Sequence, residues 1–357
     1  MVTAKSVLDS SGWVTSRLSR RGQNPIYTCH ILLNWHADCH YIQIRTKKSD
    51  VIGPLTKMSE VTITKGSIHL SGLLFQPSNA SPDSPALIIV HPGGAVKEQA
   101  ASLYAEKLTN DHNLTTICFD ASHQGASGGE PRLLEDPNAR VSDIWSVVDY
   151  LEKLNTVHPD KIGILGICAG GGYAVAAAKA DKRLKSVATV SMVNIGDSAR
   201  YGWYGQDPST RHRDTLEQVA RQIRAEGRGE EYATAEYVPG QVDEDTPVDL
   251  RDAHEYYLTK RGQHPRAQNK MLLRSVPRIL TFDAFHLADE FLKQPILTIA
   301  GETAGSRWHT EKLDKLIGKV TEGMIVPKAM HVDFYDKEEF VDPAVLKIAQ
   351  FMKARLI

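Results

Sequence analysis

Cysteine is scarce. The 357 residues hold four, Cys29, Cys39, Cys118 and Cys168, too few and too scattered for a disulfide framework. A reducing compartment is therefore expected, with the cytoplasm as the simplest address. Long apolar runs are lacking too: no stretch reaches the roughly 18 residues that a membrane-spanning helix needs, and the N-terminus has no apolar core of a secretory signal. Neither sign of charge dominates, since 42 Lys and Arg stand against 43 Asp and Glu for a net charge of −1. That balance attracts neither nucleic acid nor an anionic membrane, and neither is expected as a partner. Tandem repeats are absent, which argues against solenoids and propellers. Cys29-His30, His36 and Cys39-His40 gather metal-ligand types, but their spacing matches no tetrahedral zinc module, so no metal and no cofactor is expected. The last residues, Lys353-Ala354-Arg355-Leu356-Ile357, contain Ala-Arg-Leu, a peroxisomal address displaced by one residue. The peroxisome is the alternative location.

From Met58 onward, short apolar runs alternate with segments of helical spacing. Met58, Val61, Ile63, a Lys65-Gly66 turn and the run Ile68 to Phe75 predict a hairpin. Residues 86–90, 115–119, 162–167, 186–193, 295–301 and 323–327 read as strands, the first apolar throughout, as a strand covered on both faces must be. Helices are expected at 99–108, from Val141 to Leu154, from Tyr173 to Lys179, and at 308–317 and 345–355. Such alternation predicts an α/β fold with a mostly parallel, doubly wound sheet. Residues 194–293 interrupt it, rich in charge and aromatics, and read as a helical lid insertion. Residues 1–57 show no clear period and read as a dispensable N-terminal extension, with disorder or removal as open readings; 58–357 is the expected catalytic domain.

The stretch Gly166-Ile167-Cys168-Ala169-Gly170 lies between an apolar strand and an alanine-rich helix. Strand, sharp turn and helix in that order form a nucleophile elbow, here with cysteine where serine is usual. Cys168 is the expected nucleophile, its pKa lowered by the helix N-terminus and an imidazole. His331, directly after the last strand, is the expected base and general acid. Ala169 N–H supplies one oxyanion donor by geometry. The second is expected from the glycine loop at Gly93, Gly94 or Ala95, with His91 ordering that loop. The acid is the open member. An Asp is expected about three residues past Gly301, where the sequence has Ala304. Glu302 is the nearest carboxylate and the first choice, with Asp197, Asp283 and Asp333 as alternatives.

Four motifs in order, His91 to Gln99, Phe119 to Arg132, Gly166 to Gly171 and His331 to Asp336, resemble one branch of the α/β-hydrolases. It is related to dienelactone hydrolases and includes fungal polyketide transferases and thiohydrolases. The resemblance covers about Ser59 to Leu356. It implies an α/β-hydrolase fold and an enzyme in which Cys168 and His331 are catalytic. The implied reaction is hydrolysis or transfer of an acyl group through a covalent Cys168 acyl-enzyme, in fungal polyketide or toxin biosynthesis. The implied substrate is a small-molecule acyl or polyketide thioester on CoA or a carrier protein. Ester or lactone hydrolysis would use the same machinery, and a non-catalytic binding protein on the same scaffold is the alternative from another class. Asn194 departs from the acidic residue expected of relatives.

Overall fold

The computed structural model describes residues 2–8, 14–20, 29–31, 44–46, 56–208, 212–318 and 321–357. The chain divides into two units, Met1–Gly53 and Pro54–Ile357. In the first, β1 (Val2–Leu8) pairs antiparallel with β2 (Val14–Arg20), and β3 (Cys29–Ile31) with β4 (Ile44–Thr46). His36, Cys39 and His40, considered above as metal ligands, lie outside the described residues, as do the apolar residues 32–35.

The second unit opens with the hairpin of β5 (Lys57–Lys65) and β6 (Ile68–Gln76), closed by the two residues Gly66 and Ser67. Then β7 (Ala86–Val90), α1 (Ala100–His112), β8 (Thr115–Phe119), α2 (Pro137–Leu151), β9 (Ile162–Ile167), α3 (Ala169–Ala180) and β10 (Leu184–Val190) follow. An insertion carries α4 (Ile195–Tyr201), α5 (His212–Glu226), β11 (Thr234–Ala235), α6 (Val248–Leu258), β12 (Met271–Leu272), α7 (Val276–Thr281) and α8 (Ala288–Phe291). The alternation resumes with β13 (Ile296–Gly301), α9 (Arg307–Ile317), β14 (Thr321–Val326), α10 (Asp333–Asp336) and α11 (Glu338–Leu356). Helix α11 starts seven residues before the expected Val345; Val341 carries its buried stripe forward and Pro343 lies within its first two turns.

The main sheet has the order β14-β13-β10-β9-β7-β8-β6-β5. Its pairings are parallel except β6 with β8 and β5 with β6. Side chains alternate across it with the period of a strand. Ile89, Leu165, Val190 and Ile299 pack in the layer with α1 and α11, while Ile88, Ile164, Val187 and Ile296 pack in the layer with α2 and α3. Each contributes about 1.5–3 kcal/mol relative to an exposed side chain, so these strands read as unbroken apolar runs because both faces are core. No helix among the described residues is long and apolar enough to cross a membrane.

Where β9 turns into α3, two backbones cross in contact. A Cβ added at Gly166 would overlap the Gly170 carbonyl, and one added at Gly170 would overlap the Val90 carbonyl of β7. Backbone atoms of a central strand cannot yield as a flexible side chain does. Gly170→Ala should therefore destabilise the protein by about 3 kcal/mol, the upper end of ordinary overpacking. Urea unfolding measures this, and a loss under about 1 kcal/mol would mean that the crossing relaxes.

Candidate active site

Cys168 stands at φ 55°, ψ −125°, between β9 and α3. A non-glycine residue in such a conformation costs of order 1–3 kcal/mol and persists only where its surroundings hold it. Here its N–H donates to Val190 O at 3.0 Å, and its carbonyl accepts from the N–H groups of Gly171 and Val193 at 2.8 and 2.9 Å. The side chain is thereby lifted to the carboxyl edge of the sheet, partly buried, where it lines a cavity of about 160 Å³. In parallel sheets that edge is where ligands bind.

Two backbone N–H groups, of Ala169 and Gly93, point at the Cys168 sulfur. Of the three loop residues expected to bring the second donor, Gly93 is the one aimed at the sulfur, and Gly94 and Ala95 are not. The turn after β7 explains this: Ala95 N–H folds back to Pro92 O at 3.3 Å, and Gly94 lies against the Tyr237 ring. His91 orders the loop as expected. Its buried Nδ1 contacts Pro92 O at 2.7 Å, and Nε2 accepts from Arg140 at 2.9 Å and from Ala121 N–H at 3.3 Å. Burial and the adjacent Arg140 push its pKa well below the usual value, so it stays neutral. Arg140 also faces Glu135, whose carboxylate accepts from the hydroxyls of Tyr173 and Tyr237 at 2.6 and 2.7 Å.

His331 follows β14, and its ring contacts three side chains. Nε2 is 3.0 Å from the hydroxyl of Tyr335, four residues on; that hydroxyl also bonds the Cys168 sulfur and Tyr257, so it stands between Cys168 and His331. Nδ1 is 2.6 Å from Ser306 Oγ, which makes Ser306 the acceptor of the Nδ1 proton when Nε2 is the base. The Trp203 ring packs edge-on against the imidazole at 4.8 Å between centroids.

Among the described residues, no hydrogen bond joins any of the four expected carboxylates to His331. Glu302 is exposed and its carboxylate caps Lys328 N–H at 3.0 Å. Asp333 binds Met330 N–H at 2.7 Å and Lys337. Asp197 and Asp283 are both held by Asn194, whose amide nitrogen donates to them at 2.9 and 2.8 Å, while Asp197 also pairs with Arg200 and Lys312. An amide can donate to two carboxylates where an acidic residue would repel them, which accounts for Asn194. At the place on the loop after β13 where a carboxylate was sought, the chain presents the Ser306 hydroxyl. Sequence reasoning passed over it because only acids were considered there. It also passed over Tyr335, which stands in the His331 to Asp336 motif but was given no role there. Trp203 and Tyr257 come from the insertion, where no motif marks them. Among the described residues, no group of three or more His, Cys, Asp or Glu is placed to hold a metal ion.

The electrostatics also differ from expectation. Burial pushes the Cys168 thiol up, and the hydrogen bonds from Tyr335 and from the N–H groups of Ala169 and Gly93 offset this only in part. Burial pulls His331 down to about 4, against the opposing charge of Asp249. Desolvation outweighs the helix N-terminus, and the pair rests as neutral thiol and neutral imidazole. A raised thiol pKa means less thiolate at a given pH. Alkylation of Cys168 by iodoacetamide should therefore climb through pH 9 without a plateau near pH 6. A plateau there, measured by mass spectrometry, would instead show a preformed thiolate–imidazolium pair.

The profile of the Dienelactone hydrolase family matches residues 123–194, a segment that includes Cys168. Uncharacterized protein YcjY of Escherichia coli is 39% identical over 303 residues, 84% of this chain and 99% of its own. The crystal structure of a hypothetical protein from Pseudomonas aeruginosa superposes with a TM-score of 0.79 at 31% identity, over 88% of this chain and all of that one. Thiohydrolase aneE of Aspergillus aculeatus is 29% identical over 128 residues, 36% of this chain and 39% of its own. With the eight-stranded sheet and the elbow in place, these likenesses have one reading: the chain belongs to the dienelactone-hydrolase-related branch of the α/β-hydrolases, a branch of hydrolase and acyltransferase enzymes.

Proposed function

We propose that the protein hydrolyses or transfers small, uncharged acyl groups held as thioesters, through a covalent Cys168 acyl-enzyme. The observation that carries this reading is the convergence of the Ala169 and Gly93 N–H groups on the Cys168 sulfur within an apolar cavity. The sulfur bonds to the acyl carbon as its proton passes toward His331 Nε2, by way of the Tyr335 hydroxyl between them. Because thiol and imidazole are both neutral, attack and proton removal proceed together. The oxyanion is taken by the two N–H groups, each worth about 3 kcal/mol in comparable sites. Collapse expels a thiolate, which receives the proton from His331. Water or an alcohol then gives a proton to His331 and attacks the acyl carbon, which releases the product and restores Cys168.

The cavity constrains the acyl group. Among the described residues, no Lys, Arg, Asp or Glu lines it; Val193, Ile195, Val238, Leu250 and Ala253 do, with Trp203, Tyr237 and Tyr257. A charged acyl group would lose its hydration there without a partner. A volume of about 160 Å³ suits a group of about six non-hydrogen atoms, since a comparable engineered cavity holds benzene. The thiohydrolase name of the Aspergillus aculeatus relative supports a thioester donor; the proposed carrier is CoA or a carrier protein, and the proposed cargo a short polyketide acyl group of secondary metabolism.

Incubation with a short acyl thioester should leave an acyl adduct on Cys168, detectable by mass spectrometry; bound but unreacted thioester would favour a binding protein on the same scaffold. Cys168→Ala and His331→Ala should each lower kcat by roughly 10³-fold or more, and the double variant by little more, because the two act as a unit. Losses that multiply would disprove the pairing. Across acyl thioesters of increasing length, kcat/KM should fall beyond about six carbons, and matched amides should be poor substrates because an amine leaves less readily than a thiolate. Steady-state kinetics on such a series, with matched esters beside it, decides the acyl and leaving-group preference.

A further inference from the structure

His331 rests its Nδ1 on a serine hydroxyl, which carries no charge to stabilise the imidazolium that forms when the base takes a proton. The rings packed on it, Trp203 and Tyr335, carry none either, and the nearby His309, pulled down to about 3 by burial and by His331, stays neutral. A charge does lie close by, in the insertion.

Asp249 occupies the first turn of α6, where an acid ordinarily faces water and answers the helix dipole. This one is 1% exposed. Its Oδ2 accepts from Trp203 Nε1 at 2.9 Å and from Gly305 N–H at 2.6 Å. Its Oδ1 is buried with no hydrogen-bond partner among the described residues. Both partners of Oδ2 belong to the surroundings of the base. Trp203 is the ring set edge-on against His331, and Gly305 immediately precedes Ser306. A buried carboxylate with an unsatisfied oxygen is costly unless positive charge arises near it. His331 becomes that charge when it accepts the thiol proton.

We infer that Asp249 supplies the negative charge of the triad from the insertion, acting on His331 through the Trp203 ring and the Gly305-Ser306 backbone that its carboxylate holds. The inference rests on the reading of Cys168 and His331 as nucleophile and base. Asp249 is a positioning residue, since it neither lines the cavity nor meets the reacting atoms. The expected acid has thus moved from the loop after β13 to α6, and its carboxylate holds that loop at Gly305.

The test is the rate of Cys168 alkylation by iodoacetamide at pH 7 in the full chain, which needs no knowledge of the substrate. Asp249→Asn should slow it by about 10- to 100-fold in the wild-type background, part of what a general base supplies. In the His331→Ala background it should have no further effect. A merely structural role would lower the rate equally in both backgrounds, and that result overturns the inference. So does an unchanged rate in Asp249→Asn while His331→Ala is slow, which leaves the pairing of Cys168 with His331 intact. If His331→Ala alkylates as fast as the wild type, the pairing itself fails and the inference with it. Should Asp249→Asn not fold, Trp203→Phe removes one of the two Oδ2 donors while keeping a ring against His331, and the same comparison of backgrounds decides.

Discussion

The site depends on a single backbone conformation, that of Cys168 at φ 55°. Three hydrogen bonds and a glycine-to-carbonyl approach hold it, and they come from central strands of the sheet, the turn after β10 and the first turn of α3. The strain is small beside the burial that surrounds it, because one residue at about 1–3 kcal/mol is opposed by dozens of buried apolar side chains. That imbalance lets the elbow persist. It also fixes the direction of the Ala169 N–H and places the sulfur beside Gly93, so the donors are in position before any charge develops.

Desolvation dominates the chemistry of the site. The apolar walls of the cavity deny charge to Cys168 and His331 at rest. A thiol handled in this way resembles a serine hydroxyl in its need for a base. The Tyr335 hydroxyl, bonded to sulfur, imidazole and Tyr257, lies between Cys168 and His331.

How much of this was legible in the sequence differs by residue. The strands at 86–90 and 162–167 were readable because, between helices of an α/β chain, a short run without a polar residue fits little besides a strand covered on both faces. Cys168 and His331 were readable because a glycine-flanked turn and a histidine after the last strand are local patterns. Gly93 could be narrowed only to a loop, since which amide faces the sulfur is set by a turn whose hydrogen bond, Ala95 to Pro92, leaves no mark in composition. The thiol pKa was misjudged because the helix N-terminus is visible in the sequence while burial is a property of the assembled walls. The carboxylates failed for the same reason: Glu302 is close in the chain, but the turn to Lys328 directs it to solvent.

Glu135 has a further consequence. This fully buried carboxylate faces Arg140 and accepts from Gln124, Tyr173 and Tyr237, and only Tyr237 belongs to the insertion. Withdrawing Tyr237 would strip one hydrogen bond from a buried charge, and a hydrogen bond to a charged group is worth about 1.5–3 kcal/mol. The same ring lies on Gly94, beside the oxyanion loop. Around residue 237, then, the insertion is a fixed roof pinned to the core. Traffic to the sulfur has to pass where the roof is tied less firmly, and the stretch around Tyr237 serves as part of the floor plan of the catalytic loop rather than as a door.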